Sequence, residues 1–155
     1  MGTNAELYER DFFTWTQATA TLIRQGKWHE IDPERVAEEL EGIGLQDKHE
    51  LAQRLSDLLY QLLTWWAQPE ERCGRWRSAL CTERRELTLL LRDSPSLQAQ
   101  VPTFLHEEYP VARAKALTAT GLATLPTICP FTPEQVLAAD FWPESPTLAQ
   151  ASAPA

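Results

Sequence analysis

Leucine and tryptophan recur at helical intervals through residues 51–66, and nothing else in the 155-residue chain restricts its fold as much. Leu51, Leu55, Leu58, Leu62 and Trp65 alternate steps of four and three, while Leu59, Leu63 and Trp66 widen the same stripe. The helical pattern reaches back to Val36 and is closed by Pro69. Burying these eight side chains contributes about 12–24 kcal/mol gross, at about 1.5–3 kcal/mol each. The stretch predicts a core helix on which other helices assemble.

The remaining apolar composition agrees with helix over sheet, because 22 leucines stand against four isoleucines and four valines. The expected fold is all-α: a bundle of four main helices, the fourth kinked or broken by prolines, with a Pro-rich C-terminal tail packed on it. A chain of this length buries about 68–70% of its unfolded surface, enough for one core. Residues 5–144 read as a single helical domain, and 145–155 as a disordered tail.

Before the core helix, Leu7, Tyr8, Phe12, Trp15, Ala18 and Leu22 mark one face of a first helix, ended by Gly26. Asp32 before Pro33 reads as N-cap and first residue of the core helix. Gly42, Gly44 and Asp47 weaken that helix midway, so a bend or break is expected there, or the close approach of another helix over Gly44. The alternative at this place is a polar pocket lined by Asp47 and bordered by Glu41.

A turn holding Pro69 and Gly74 leads to a third helix with Trp76, Leu80, Leu87, Leu90 and Leu91 on one face. Running antiparallel to the core helix, it would place Leu80 near Leu62 and Leu91 near Leu51. Glu83 and Arg84 interrupt its stripe, with Gln61 at the facing edge. Ser94 and Pro95 start a fourth region, interrupted by Pro102 and Pro110 around His106 and Tyr109. In the tail, Thr132, Pro133 and Gln135 form a capping box for one short helix, and Phe131, Phe141 and Trp142 are too apolar to be left in water.

Charge is divided along the chain. Between residues 30 and 50 eight carboxylates face only Arg35 and Lys48, whereas between residues 72 and 92 six arginines face Glu83 and Glu86. The segments are complementary and could meet within one chain or across a homodimer, the expected assembly. The overall net charge of -8 argues against generic nucleic-acid binding and against an anionic membrane surface. No apolar run near 18 residues and no signal-like N-terminus is present, so a soluble, cytoplasmic protein is expected.

Local chemistry is sparse. Cys73, Cys81 and Cys129 form no Cys-x-x-Cys pair, and none of His29, His49 and His106 has a glutamate three residues earlier. Neither a metal site nor another cofactor is expected. Cys81 lies near arginines that would favour its thiolate, although a small core residue is the preferred reading. Trp65, Arg72, Trp76, Arg77 and Arg85 form a candidate interaction surface, read first as a packed helix-turn-helix corner whose arginines cover the tryptophans. A second candidate is a polar cluster of Asp47, Gln61, Glu83, Arg84, His106 and Tyr109, which would make the protein a small-molecule binder or enzyme. The preferred function is a non-catalytic interaction or regulatory module, since no catalytic constellation is visible.

The order of these residues carries a resemblance. Leu7-Tyr8 with Asp11-Phe12 and Trp15, the run Glu38-Glu39-Leu40-Glu41 with Gly44, Trp65 with Gln68-Pro69, and Trp76-Arg77 come first. Arg84-Arg85-Glu86, Ser94-Pro95-Ser96-Leu97 and Cys129-Pro130 with Asp140-Phe141 and Pro143 follow. Together they resemble the bacterial family catalogued as domain of unknown function 29, across about residues 5–144. The resemblance implies a small helical protein, often present in many copies in cyanobacteria, with no established activity and no catalytic residues to carry over. In that family a histidine often stands where this chain has Gln61, so any metal or proton-transfer role there would be lost here.

Overall fold

The computed structural model describes residues 3–146, and these form helices and loops with no strand among them. The six α-helices are α1 (Asn4–Arg10), α2 (Phe12–Arg24), α3 (Pro33–Ala67), α4 (Gly74–Asp93), α5 (Val101–Thr120) and α6 (Pro133–Leu137), with short 3-10 turns before α3, α4 and α5. The long helices α2 to α5 are the four main ones expected. Residues 147–155, where a disordered tail was expected, lie outside the described residues. The chain groups into two compact units, one up to Gln46 and one from Asp47 on.

In the N-terminal unit the expected single first helix is two. Asp11 leaves helical geometry at φ -154° and ψ 86°, ending α1 and capping α2 by accepting from the Thr14 amide at 2.9 Å and its hydroxyl at 2.7 Å. A local side-chain cap outweighs continuation of the helix here. The break turns α1 so that Asn4 accepts a hydrogen bond from the Trp15 indole at 2.8 Å and donates one to Thr19 at 3.0 Å. Tyr8 packs edge-on against Trp15, with ring centroids 4.9 Å apart.

Gly26 stops α2 as expected. Its φ of +69° closes a Schellman turn, in which the Lys27 amide reaches the Leu22 carbonyl and the Gly26 amide that of Ile23, each at 3.0 Å. Asp32 then caps α3, accepting from the Glu34 and Arg35 amides at 3.1 and 3.2 Å.

The expected bend at Gly42 and Gly44 does not form: α3 runs unbroken for 35 residues. Nor does a helix close over Gly44, since a Cβ built on either glycine would meet nothing within 4 Å. The α3 start is held by contacts with α1, where the Tyr8 hydroxyl donates to Glu39 and the Arg35 guanidinium lies 4.3 Å from the Tyr8 ring centre. Such anchoring overrides the weak local preference of two glycines.

In the second unit Leu51, Leu55, Leu58, Leu59, Leu62 and Leu63 are each 0% exposed. The leucine stripe is therefore the core. Helix α4 lies antiparallel to it, joined by Arg54 to Glu83 at 3.2 Å and by Asp47 to Ser94 at 3.0 Å. Ser94 occupies the position before Pro95 as expected, but its hydroxyl serves Asp47 rather than capping the turn that follows.

Helix α5 buries Val101, Leu105, Tyr109, Ala112 and Ala116, again at steps of three and four. Pro102 sits in its first turn and does not break it, since an N-terminal proline lacks only an amide hydrogen that has no intrahelical acceptor. Helix α5 also continues through Pro110, whose missing donor would have served the carbonyl of solvent-exposed His106. The tail folds back as predicted: the Thr132–Gln135 capping box starts α6, Val136 is fully buried, and Phe131 meets Trp66 with ring centroids 6.3 Å apart.

Candidate functional site

A proline-rich tail cannot satisfy its carbonyls through regular helix or sheet, because each proline removes a donor. In this chain the donors come from side chains of the helices. Arg84, on α4 and only 3% exposed, donates from Nε to the Val136 carbonyl at 3.0 Å and from Nη2 to that of Gln135 at 3.3 Å. These carbonyls lie at the C-terminal end of α6, where the helix presents partial negative charge to a cation.

Two further straps hold the tail. The Tyr109 hydroxyl donates to the Pro126 carbonyl at 2.7 Å, and Arg113 donates to the Leu125 and Pro126 carbonyls at 2.8–3.0 Å. At the other end Arg72 links the Trp65 carbonyl, at 2.8 Å, to that of Pro143, at 3.2 Å. Trp142 rests on Trp65 with centroids 4.9 Å apart, and the Arg77 and Arg84 guanidiniums lie 4.8 and 5.8 Å from its ring centre.

These contacts set the electrostatics of the residues involved. Burial lowers the Arg84 pKa below the ordinary guanidinium value and raises the Tyr109 phenol well above its ordinary value of 10.0. Burial also raises the Cys129 thiol, which points to the Phe131 carbonyl at 3.5 Å. Arg54 instead has its charged form favoured, first by its hydrogen bond to Glu50 at 2.8 Å.

The six residues of the candidate polar cluster are distributed over separate interactions. Arg84 and Tyr109 strap the tail, Glu83 pairs with Arg54, Asp47 accepts from Ser94, and His106 is exposed. Gln61 keeps a buried Oε1 with no hydrogen-bond partner among the described residues, as does Nη1 of Arg84. Glu41, the expected rim of a pocket, is exposed. No three His, Cys, Asp or Glu side chains come together as a ligand set among the described residues.

Of the candidate interaction residues, Trp65 and Arg72 are half-buried under the tail, Trp76 is half-buried, and Arg77 and Arg85 are exposed. Cys81 is exposed rather than a small core residue. Sequence reasoning missed Arg113 and the receiving role of the tail carbonyls. The density of prolines between residues 126 and 143 was the available signal.

Other side chains lack cover. Phe13, Leu40 and Ile43 are 72%, 64% and 59% exposed, and Phe12, Trp28 and Leu45 are at least half exposed. All six belong to the N-terminal unit, in which, among the described residues, only Trp15 and Thr19 are buried. No described helix is long and apolar enough to cross a membrane.

No curated protein and no solved structure matches the chain. One family model does, over residues 7–142, and so spans both units and nearly every helix described above. The chain belongs to the family described as Domain of unknown function DUF29.

Proposed function

We propose that this protein is a non-catalytic interaction module that docks another protein chain on its N-terminal unit. The observation that carries this reading is the exposure of Phe12, Phe13, Leu40 and Ile43 in an N-terminal unit whose described residues bury only Trp15 and Thr19. Soluble surfaces rarely leave several large apolar groups on one small unit without a covering partner. The polar residues that could have served chemistry are engaged instead. Arg84, Tyr109, Glu83 and Asp47 each have a partner within the chain, and all four hold the tail or join α4 to α3.

The test is a photo-crosslinking phenylalanine analogue placed at Phe13 or Ile43, with exposed Gln98 as the control position. Adducts with a protein chain at the first two positions and not at the third are expected. Equal, background-level crosslinking at all three would overturn the reading.

A further inference from the structure

The N-terminal half of α3 carries an acidic face on the side opposite exposed Leu40 and Ile43. Glu34, Glu38, Glu41 and Leu45 follow at steps of four, three and four, which puts them on one side of the helix, and all four are exposed. Glu38 reaches Arg35 at 3.7 Å, whereas Glu34 and Glu41 enter no ion pair among the described residues. Helix α4 has the opposite character. Arg77, Arg85 and Arg92 share one side with half-buried Leu89, at steps of eight, seven and, between Arg85 and Leu89, four. Arg85 enters no ion pair among the described residues, Arg77 meets only the Trp142 ring, and Arg92 pairs with its neighbour Asp93.

We infer that the partner of this acidic face is a second copy of the chain, with the N-terminal half of α3 from each copy lying along the α4 arginine side of the other. The inference goes beyond the interaction-module reading, since it concerns the side of α3 away from Leu40 and Ile43. Charge complementarity carries it: Glu41 and Leu45 are four residues apart, as are Arg85 and Leu89, so one alignment sets carboxylate against guanidinium and leucine against leucine. The aliphatic stems of the arginines cover apolar surface beside Leu45 while their heads reach the carboxylates. A reciprocal arrangement is a closed two-fold dimer, in which every pair occurs twice. The net charge of -8 repels two copies at a distance, but beyond about 8–10 Å that repulsion is screened at physiological salt, and the local pairing decides at contact.

Light scattering and sedimentation of the full chain test the inference, with circular dichroism checking that each variant stays helical. The wild type is expected at twice the chain mass at micromolar concentration, dissociating as salt rises. Glu41→Arg alone and Arg85→Glu alone each raise the dissociation constant about tenfold or more. Both changes in one chain restore the dimer, since the swapped charges again face each other. A monomeric wild type, or single reversals that leave the dimer intact, overturns the second copy as occupant. Crosslinking at Phe13 and Ile43 reads a different side of the N-terminal unit, Ile43 lying across α3 from the acidic face, so the two ideas fail separately.

Discussion

Arg84 shows how one residue's role follows from its surroundings more than from its type. Its guanidinium is buried without a carboxylate in contact, a costly state unless hydrogen bonds and fixed dipoles replace water. Here two carbonyls at the end of α6 and the face of Trp142 supply that replacement. Arg84→Ala removes both charged hydrogen bonds and is expected to cost about 2–4 kcal/mol in urea unfolding, with amide protection in α6 lost first. An unchanged midpoint would mean that apolar contacts alone hold α6. Tyr109 gives a pH-dependent counterpart. Its folded pKa is raised, so its contribution is complete below the unfolded value near 10 and is lost as pH rises toward the folded one, because the unfolded chain ionises first. The wild type is therefore expected to lose stability above pH 10 more steeply than Tyr109→Phe, as read from urea midpoints between about pH 8 and 12.

At the scale of elements, the glycines separate two uses of the same residue. Gly26 holds φ +69° in the turn that ends α2, whereas Gly42 and Gly44 lie in regular helix with open space around them. Gly44→Ala should therefore raise stability by about 0.5–1 kcal/mol, by restricting the unfolded chain and favouring helix. Gly26→Ala should lower it by about 1 kcal/mol, because an L side chain is strained at that angle. Paired thermal melts of the two variants distinguish these signs. Helix α5 teaches a related lesson about stripes. Its buried face mixes Val, Leu and Tyr with two alanines, a pattern of low hydrophobic contrast that reads as irregular between two prolines, yet packs as regularly as the leucine helix.

For the whole molecule, legibility tracked how local each determinant is. The leucine stripe of α3, the Asp32 cap, the Gly26 stop and the Thr132–Gln135 capping box were all readable, since each is written within a few neighbouring residues. The split at Asp11 was also local, but its cap competes with a convincing apolar periodicity, and the periodicity misled. The candidate polar cluster was drawn from positions along facing helices, and the structure assigned those residues to different partners. Arg84 finds acceptors 51 and 52 residues away, and Arg72 finds one 71 residues away. By itself the sequence determined the helical class, most helix ends and the identity of the core, because backbone preference and hydrophobic periodicity act over one or two turns. Only the tertiary structure decided which polar side chains became straps and which apolar ones stayed exposed, because a buried donor is satisfied by whatever acceptor folding brings within 3 Å of it, and burial depends on distant segments of the chain.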